Sequence, residues 1–329
     1  MIFTDRQRNS SFELLRIIAI FGIINMHAFG PYLQQATGEN LIYALIINGI
    51  FNMGVTLFML ISGYFGISRS KRKFLKLYGI VIFYSLFGFA LVYIATGAFS
   101  LKALVYAIFP ISTNKYWYIT SYLLIFVISP YLNKILEDMS HKEYIYILTI
   151  MCCLFYVAPT FLYVEIMHDG GKGVVNLLIV YMIGKYIRLH GNAWNLGKRR
   201  LLCMIFPLLV LGMALNYVCI IYFHHGEWIA PFSRDCSLII LSASILVFIL
   251  FKQINFYNSL VNKIAMSVFP IYVLEGDLRK IISAYDLLHY QETGFYVDIT
   301  ICVILIMVMI ILIDNFRMKI LRLSSREKI

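Results

Sequence analysis

Residues 11–31 read SFELLRIIAIFGIINMHAFGP, an apolar run that carries Glu13 and Arg16 near one end and His27 deep inside it. About 20 apolar residues suffice to cross a bilayer as a helix. Each ionisable group held in hydrocarbon costs on the order of 2.5–3.5 kcal/mol on insertion scales, so such groups are functional candidates by default. Arg16 and His27 are eleven positions apart. At ~100° per residue they differ by only ~20° around the helix axis. At ~1.5 Å per residue they lie roughly 16 Å apart along it, about half the hydrocarbon thickness. One face of this helix therefore has a cation near one membrane surface and a titratable base much deeper.

The rest of the chain has the same character. Of 329 residues, 61% are hydrophobic and 14% charged, with mean hydropathy +0.80; an ordinary soluble domain has ~25% charged residues. The fold class expected is an all-α integral membrane bundle, read as one membrane domain over residues 1–329. Apolar runs of spanning length fall at about 12–33, 42–66, 74–97, 116–136, 144–165, 173–190, 201–223, 235–251, 264–284 and 296–315, which predicts ten helices. The sixth and eighth are short and the ninth is interrupted by charges. Ser100–Pro110 is too short to span and reads as interfacial or re-entrant. The first run has no small-residue cleavage pattern and leads directly into further spans, so it reads as a retained helix. No polar block is long enough to read as an appended soluble domain. Six cysteines lie in or beside apolar runs without metal-ligand spacing, as small core residues do.

A net charge of +11 suits nucleic acid or an anionic membrane surface, and its distribution decides between them. With a cytoplasmic N-terminus, the segments on the inside hold 21 of the 28 Lys and Arg, those on the outside hold six, and Arg16 completes the set. This strict alternation follows the positive-inside rule with both termini cytoplasmic. The charge is then mostly an orientation signal. Nucleic acid drops out as a partner, membrane lipid is retained, and the expected location is the cell membrane, crossed many times.

In this orientation Arg16 sits near the cytoplasmic face and His27 in the outer half of the first span. Each has a plain alternative: Arg16 snorkelling to headgroups and His27 bonding a neighbouring helix. Glu13, one turn before Arg16, is placed to pair with it. Neutral imidazole in a dry site can act as a general base near pH 7 and deprotonate a hydroxyl.

Several stretches carry a family resemblance. Arg16-x10-His27 within FELLRIIAIFGIINMHAFG resembles the first helix of the membrane-bound acyltransferase-3 family. GVTLFMLISGYF, with Ser62-Gly63-Tyr64, is similar to that family's S-G-[YF] segment. NKYWYITSYLLIFVISPYL, with Trp117, Tyr118 and Pro130, looks like its W-[FY]-…-P span, and SVFPIYVLE is similar to a late segment read as G-I-Y-L-x-H. The resemblance runs from about Phe12 to Asn315. It implies a ten-helix enzyme that takes an acyl group, commonly acetyl, from cytoplasmic acyl-CoA and transfers it to a carbohydrate hydroxyl facing outside. It implies His27 as catalytic base and Arg16 as a donor-holding residue. Two positions depart from the family: its late His is Glu275 here, and its Arg after the S-G-Y loop is Lys76, in KFLKL. Glu275 is therefore a candidate for a proton-handling or acceptor role.

Further candidates follow from position. Arg69, Lys71, Arg72, Lys73 and Lys76 form a basic loop that orients the chain. It faces the side from which coenzyme A brings its phosphates, and Lys73 and Lys76 open the third span, where an anion is favoured. Ser62 is either a donor to substrate or a local cap. Tyr64 joins the donor-binding candidates. Gly63 allows close backbone approach. Trp117 and Tyr118 read as interface aromatics or as a platform for a sugar ring. Glu275 and Arg279 are i,i+4 partners. His168-Asp169 and His224-His225 lack spaced carboxylates, so neither a metal nor a bound cofactor is expected.

Three function classes are consistent with these features. The first is an acyl-CoA-dependent O-acyltransferase acting on a surface polysaccharide or lipid-linked glycan. The second is a transporter or flippase of lipid-linked saccharides, although no repeated half is visible. The third is a receptor or scaffold whose charges serve helix packing.

Overall fold

The structure is a computed structural model that describes residues 9–191, 196–223 and 231–326; His224, His225 and the terminal cations Arg6, Arg8 and Lys328 lie outside the described residues. Those described are almost wholly helical and contain no strand. Each of the ten apolar runs is matched by helix. Among the described residues, eight helical stretches are long and apolar enough to cross a membrane. The runs at 173–190 and 264–284 instead contain shorter helices of 17 residues.

Helix α1, Ser10–Phe29, is opened by Asn9, whose side chain accepts from Ser11 N–H, satisfying one of the donors every helix start leaves unpaired. Its start is tied down by Ser10 N–H donating to Phe256 C=O and Ser11 Oγ donating to Phe251 C=O. The second run is divided into α2, Gly38–Phe51, and α3, Met53–Phe65. Between them, Asn52 turns its amide to Ser233 C=O. Helix α3 stops at Gly66, whose positive φ of 75° suits a residue without Cβ and whose N–H caps Ser62 and Gly63.

Helix α4 spans Lys71–Thr96, α5 is a short exposed helix, Leu101–Ile108, and α6 spans Trp117–Asp138. Helix α7, His141–Cys152, begins with a capping box between Ser140 and Glu143 and runs into a π-helical stretch, Cys153–Leu162, containing Pro159. Helices α8 (Val174–His190), α9 (Lys198–Phe223), α10 (Leu238–Lys252), α11 (Ser259–Ala265), α12 (Val268–Ala284) and α13 (Phe295–Arg326) complete the chain.

Two large apolar cores form among the described residues, with two small satellites around Tyr144 and Leu201. One gathers α3, α6, α8 and α10 around Leu60, Ile125, Tyr181 and Phe248. The other gathers α2, α4, α12 and α13 around Ile47, Tyr84, Ile271 and Ile306. Helix α1 joins them, with Phe12 and Leu15 in the first and Ile20 and Ile24 in the second. It is thus a central strut, whereas α4, α7, α9 and α13 carry large outward apolar side chains such as Ile94, Ile150, Phe206 and Leu305. A rim of that kind suits hydrocarbon as its solvent.

Gly63 has a packing role. A Cβ at that position would overlap the Tyr181 carbonyl, and one at Gly184 would overlap the Leu60 carbonyl. The α3 and α8 backbones therefore meet through facing glycines, as helices in lipid commonly do. Further along, Asp314 is fully buried and accepts from Tyr84 Oη (2.6 Å), Ser267 Oγ (2.8 Å) and Arg317 (2.7 Å). That network pins the start of α12 to α4 and α13.

Candidate active site

Arg16, Ile20, Ile23 and His27 form one stripe along α1, each three or four residues from the next. The stripe is divided between two cavities. Arg16, Ile20 and Ile23 line one of about 280 Å³. Met26 and His27 line another of about 740 Å³. Helix α12 repeats this division, with Val268 and Phe269 on the Arg16 cavity and Glu275, Gly276 and Arg279 on the His27 cavity.

Of the two, the His27 cavity gathers most of the ionisable side chains. His27 Nδ1 lies 2.9 Å from Glu275 Oε1. An ionised carboxylate can only accept a hydrogen bond, so the imidazole proton belongs on Nδ1 and Nε2 keeps its lone pair. Glu275 is itself held by Arg279, whose Nε donates to Oε2 at 2.6 Å, while Arg279 Nη1 donates to the His27 carbonyl at 2.9 Å. One arginine thus fixes both the carboxylate and the backbone of the histidine. The Glu275 side chain is 6% exposed and that of His27 41%, so the orienting group is sealed and the base is open to the cavity. Such an arrangement can take a proton from a bound hydroxyl.

A second ionic cluster lines the same cavity. Asp277 accepts from Lys280 at 2.7 Å and Lys115 at 3.3 Å, and Lys115 also donates to Ser85. Burial pushes the Lys115 ammonium down, while the Asp277 carboxylate opposes that shift. In the sequence Lys115 counts only toward the outside charge, and Asp277 is one of four charges clustered toward the outside of the ninth span, of which Glu275 alone is the candidate. Their signals are a lysine just before the Trp117-Tyr118 pair and an acid two residues after Glu275.

The Arg16 cavity is mostly apolar. Arg16 Nη1 bonds both Glu13 carboxylate oxygens at 3.2 Å, and Ser62, Phe58, Tyr118 and Tyr122 complete much of the lining. Ser62 Oγ donates to the Phe58 carbonyl one turn back, leaving its oxygen able to accept. Trp117 and Tyr118, adjacent in sequence, serve different cavities: Trp117 that of His27 and Tyr118 that of Arg16. Consecutive helical residues diverge by ~100°, which separates the pair.

Three other candidates lie off both cavities. Tyr64 is buried against Phe12 and Phe248, with Arg188 and Lys252 near its ring at 5.3 and 5.6 Å. Lys73 is exposed and bonds Ser68, and Lys76 is exposed one turn along α4. No group of three His, Cys, Asp or Glu among the described residues is arranged to hold a metal ion, and the described cysteines are free.

The family model of the acyltransferase domain matches residues 9–314. No curated protein and no solved structure matches the chain. The matched region begins at the cap of α1, ends at buried Asp314 and includes every residue of both cavities. The chain belongs to the membrane-bound acyltransferase-3 family.

Proposed function

We propose that this multi-pass membrane acyltransferase moves an acetyl group from cytoplasmic acyl-CoA across the bilayer to a hydroxyl of a surface or exported carbohydrate. The observation carrying this reading is the His27–Glu275–Arg279 unit in an open cavity, with Arg16 in an adjoining cavity on the same two helices. Arg16 and Ser62 hold the donor's thioester arm, and Glu13 fixes the Arg16 rotamer. Lys73, Lys76 and the Tyr64 region draw the donor's phosphates to the cytoplasmic face. Trp117 offers an aromatic face to the acceptor sugar, and Tyr118 lines the path between donor and acceptor.

In the reaction, His27 Nε2 takes the proton of the acceptor hydroxyl as its oxygen attacks the thioester carbonyl. The new C–O bond forms, the C–S bond breaks, and the imidazolium returns its proton to the departing thiolate. Glu275 keeps the imidazole in the right tautomer and stabilises the cation formed in transit. The topology that accompanies this reading has ten spans, with the short helices α8 and α12 counted among them and both termini inside.

The test uses membranes containing the protein, acetyl-labelled acetyl-CoA and a glycan acceptor. Label is expected in an alkali-labile ester on the glycan, and His27→Ala is expected to abolish it. Transfer that survives in His27→Ala would refute the mechanism. Saccharide movement without consumption of acyl-CoA would replace it with transport.

A further inference from the structure

Tyr272 is the one residue among those described that lines both cavities. It lies one turn before Glu275 on α12, and its ring faces an aromatic neighbour on each side. Tyr116, which lines the His27 cavity, has its ring centroid 6.2 Å away; Tyr118, which lines the Arg16 cavity, is at 6.0 Å. The α1 stripe changes cavity between Ile23 and Met26. The two helices facing this boundary thus pass from one chamber to the other within about a turn.

We propose that the Tyr272 side chain is the partition between the donor and acceptor chambers, and that it decides how much of an acyl thioester passes from one to the other. This rests on reading the Arg16 cavity as the donor's. Tyr272 belongs to a backbone held on both sides of it. Ser267 is tied to Asp314, Glu275 to His27 and Arg279, and Asp277 to Lys115 and Lys280. Passage therefore falls to rotation of one ring, with no displacement of α12. The closed ring also keeps water of the larger cavity off the thioester. Where that separation fails, water replaces the sugar hydroxyl: its oxygen attacks the acyl carbonyl, the C–S bond breaks, and a free carboxylic acid and CoA thiol result.

One measurement is independent of acyl transfer. Cysteine is introduced singly at Met26 or Ile23 after replacing the six native cysteines by serine. A membrane-impermeant methanethiosulfonate reagent is then applied from the membrane face that labels Met26→Cys. Ile23→Cys is expected to react at least roughly tenfold more slowly than Met26→Cys, a barrier difference of about 1.4 kcal/mol. With Tyr272→Ala the two rates converge, and Tyr272→Leu gives the same direction if the alanine variant folds poorly. Tyr272→Phe retains the difference because the ring, not the hydroxyl, forms the wall. Ile23 is only 4% exposed, so the removal of Tyr272 decides: a rate difference that persists in both Tyr272→Ala and Tyr272→Leu, or equal rates with Tyr272 in place, overturns the partition.

The second measurement compares acyl-CoA hydrolysis with transfer in the protein carrying its native cysteines. Tyr272→Ala is expected to raise hydrolysis relative to transfer, by roughly tenfold for the same barrier difference, and to admit longer acyl groups. An unchanged ratio also overturns the partition. A wild-type protein with neither activity refutes the donor-site reading instead, and the labelling rates still judge the wall.

Discussion

Substituting Glu275 by Gln tests the proposed chemistry at one atom. The carboxylate has two acceptor oxygens, one 2.9 Å from His27 Nδ1 and the other 2.6 Å from Arg279 Nε. Glutamine has one oxygen and one NH2. Arg279 has donors only, so the amide oxygen must turn to it, and the NH2 then faces Nδ1. An NH2 can only donate, which moves the imidazole proton to Nε2 and removes the lone pair needed for proton abstraction. The volume is unchanged and the Arg279 contact persists, so the expected loss lies in kcat and not in folding. Loss of an oriented base costs on the order of 10²–10⁴ in rate, or roughly 3–5.5 kcal/mol at ~1.4 kcal/mol per tenfold. The assay is transfer of labelled acetyl to glycan by purified protein, with saturation curves for both substrates. A kcat fall of ~10² or more at near-constant acceptor KM is expected. A Glu275→Gln enzyme within about threefold of wild type, well short of the ~10² expected of a mis-set base, would refute the orienting role. The base would then have to act without Glu275.

On the proposed reading, Arg16→Leu removes a charged partner of the donor, and it leaves Glu13 without its Arg16 partner. A charge-assisted bond contributes about 1.5–3 kcal/mol, so donor KM is expected to rise on the order of 10–100-fold, as read from saturation with acetyl-CoA. On the same reading, exposed Lys73 and Lys76 attract the donor's phosphates at longer range. The double alanine variant is expected to raise donor KM a few-fold at low salt and to match wild type at high salt, where screening is complete. Gly63→Ala forces α3 and α8 apart at the Tyr181 carbonyl. Overpacking of this kind costs about 1–3 kcal/mol, to be read as a lower thermal midpoint in detergent with little change in KM. Asp314→Ala leaves the Tyr84 and Ser267 hydroxyls without their acceptor and the Arg317 guanidinium, whose side chain is 19% exposed, with only the Tyr84 oxygen. Breaking such a pair costs about 3–5 kcal/mol, so a marked drop in thermal midpoint or in folded yield is expected.

Much of the architecture is written locally. Each apolar run of spanning length became helix because a backbone in hydrocarbon must satisfy its own hydrogen bonds, and this depends on composition over ~20 residues alone. The Arg16–His27 stripe likewise follows from the 3.6-residue period, and the Glu13–Arg16 and Glu275–Arg279 pairs from i,i+3 and i,i+4 spacing. The break at Asn52 was not legible: an asparagine inside an apolar run signals no bend until Ser233, 181 positions away, supplies a carbonyl.

The candidate site divides in the same way. Sequence determined which residues were too costly to be idle in a membrane, namely Arg16, His27 and Glu275, and the family motifs around them. Tertiary structure decided what each one meets. His27 and Glu275 are 248 positions apart and touch only because α1 and α12 pack together. Trp117 and Tyr118 are adjacent yet serve separate chambers, and Gly63 is a seat for α8. Tyr272 lies in the SVFPIYVLE segment, but nothing local marks its ring as a wall; its place follows from two cavities that exist only between helices. Hydropathy and helical period are properties of a chain, whereas a cavity is a property of the gaps its packed helices leave.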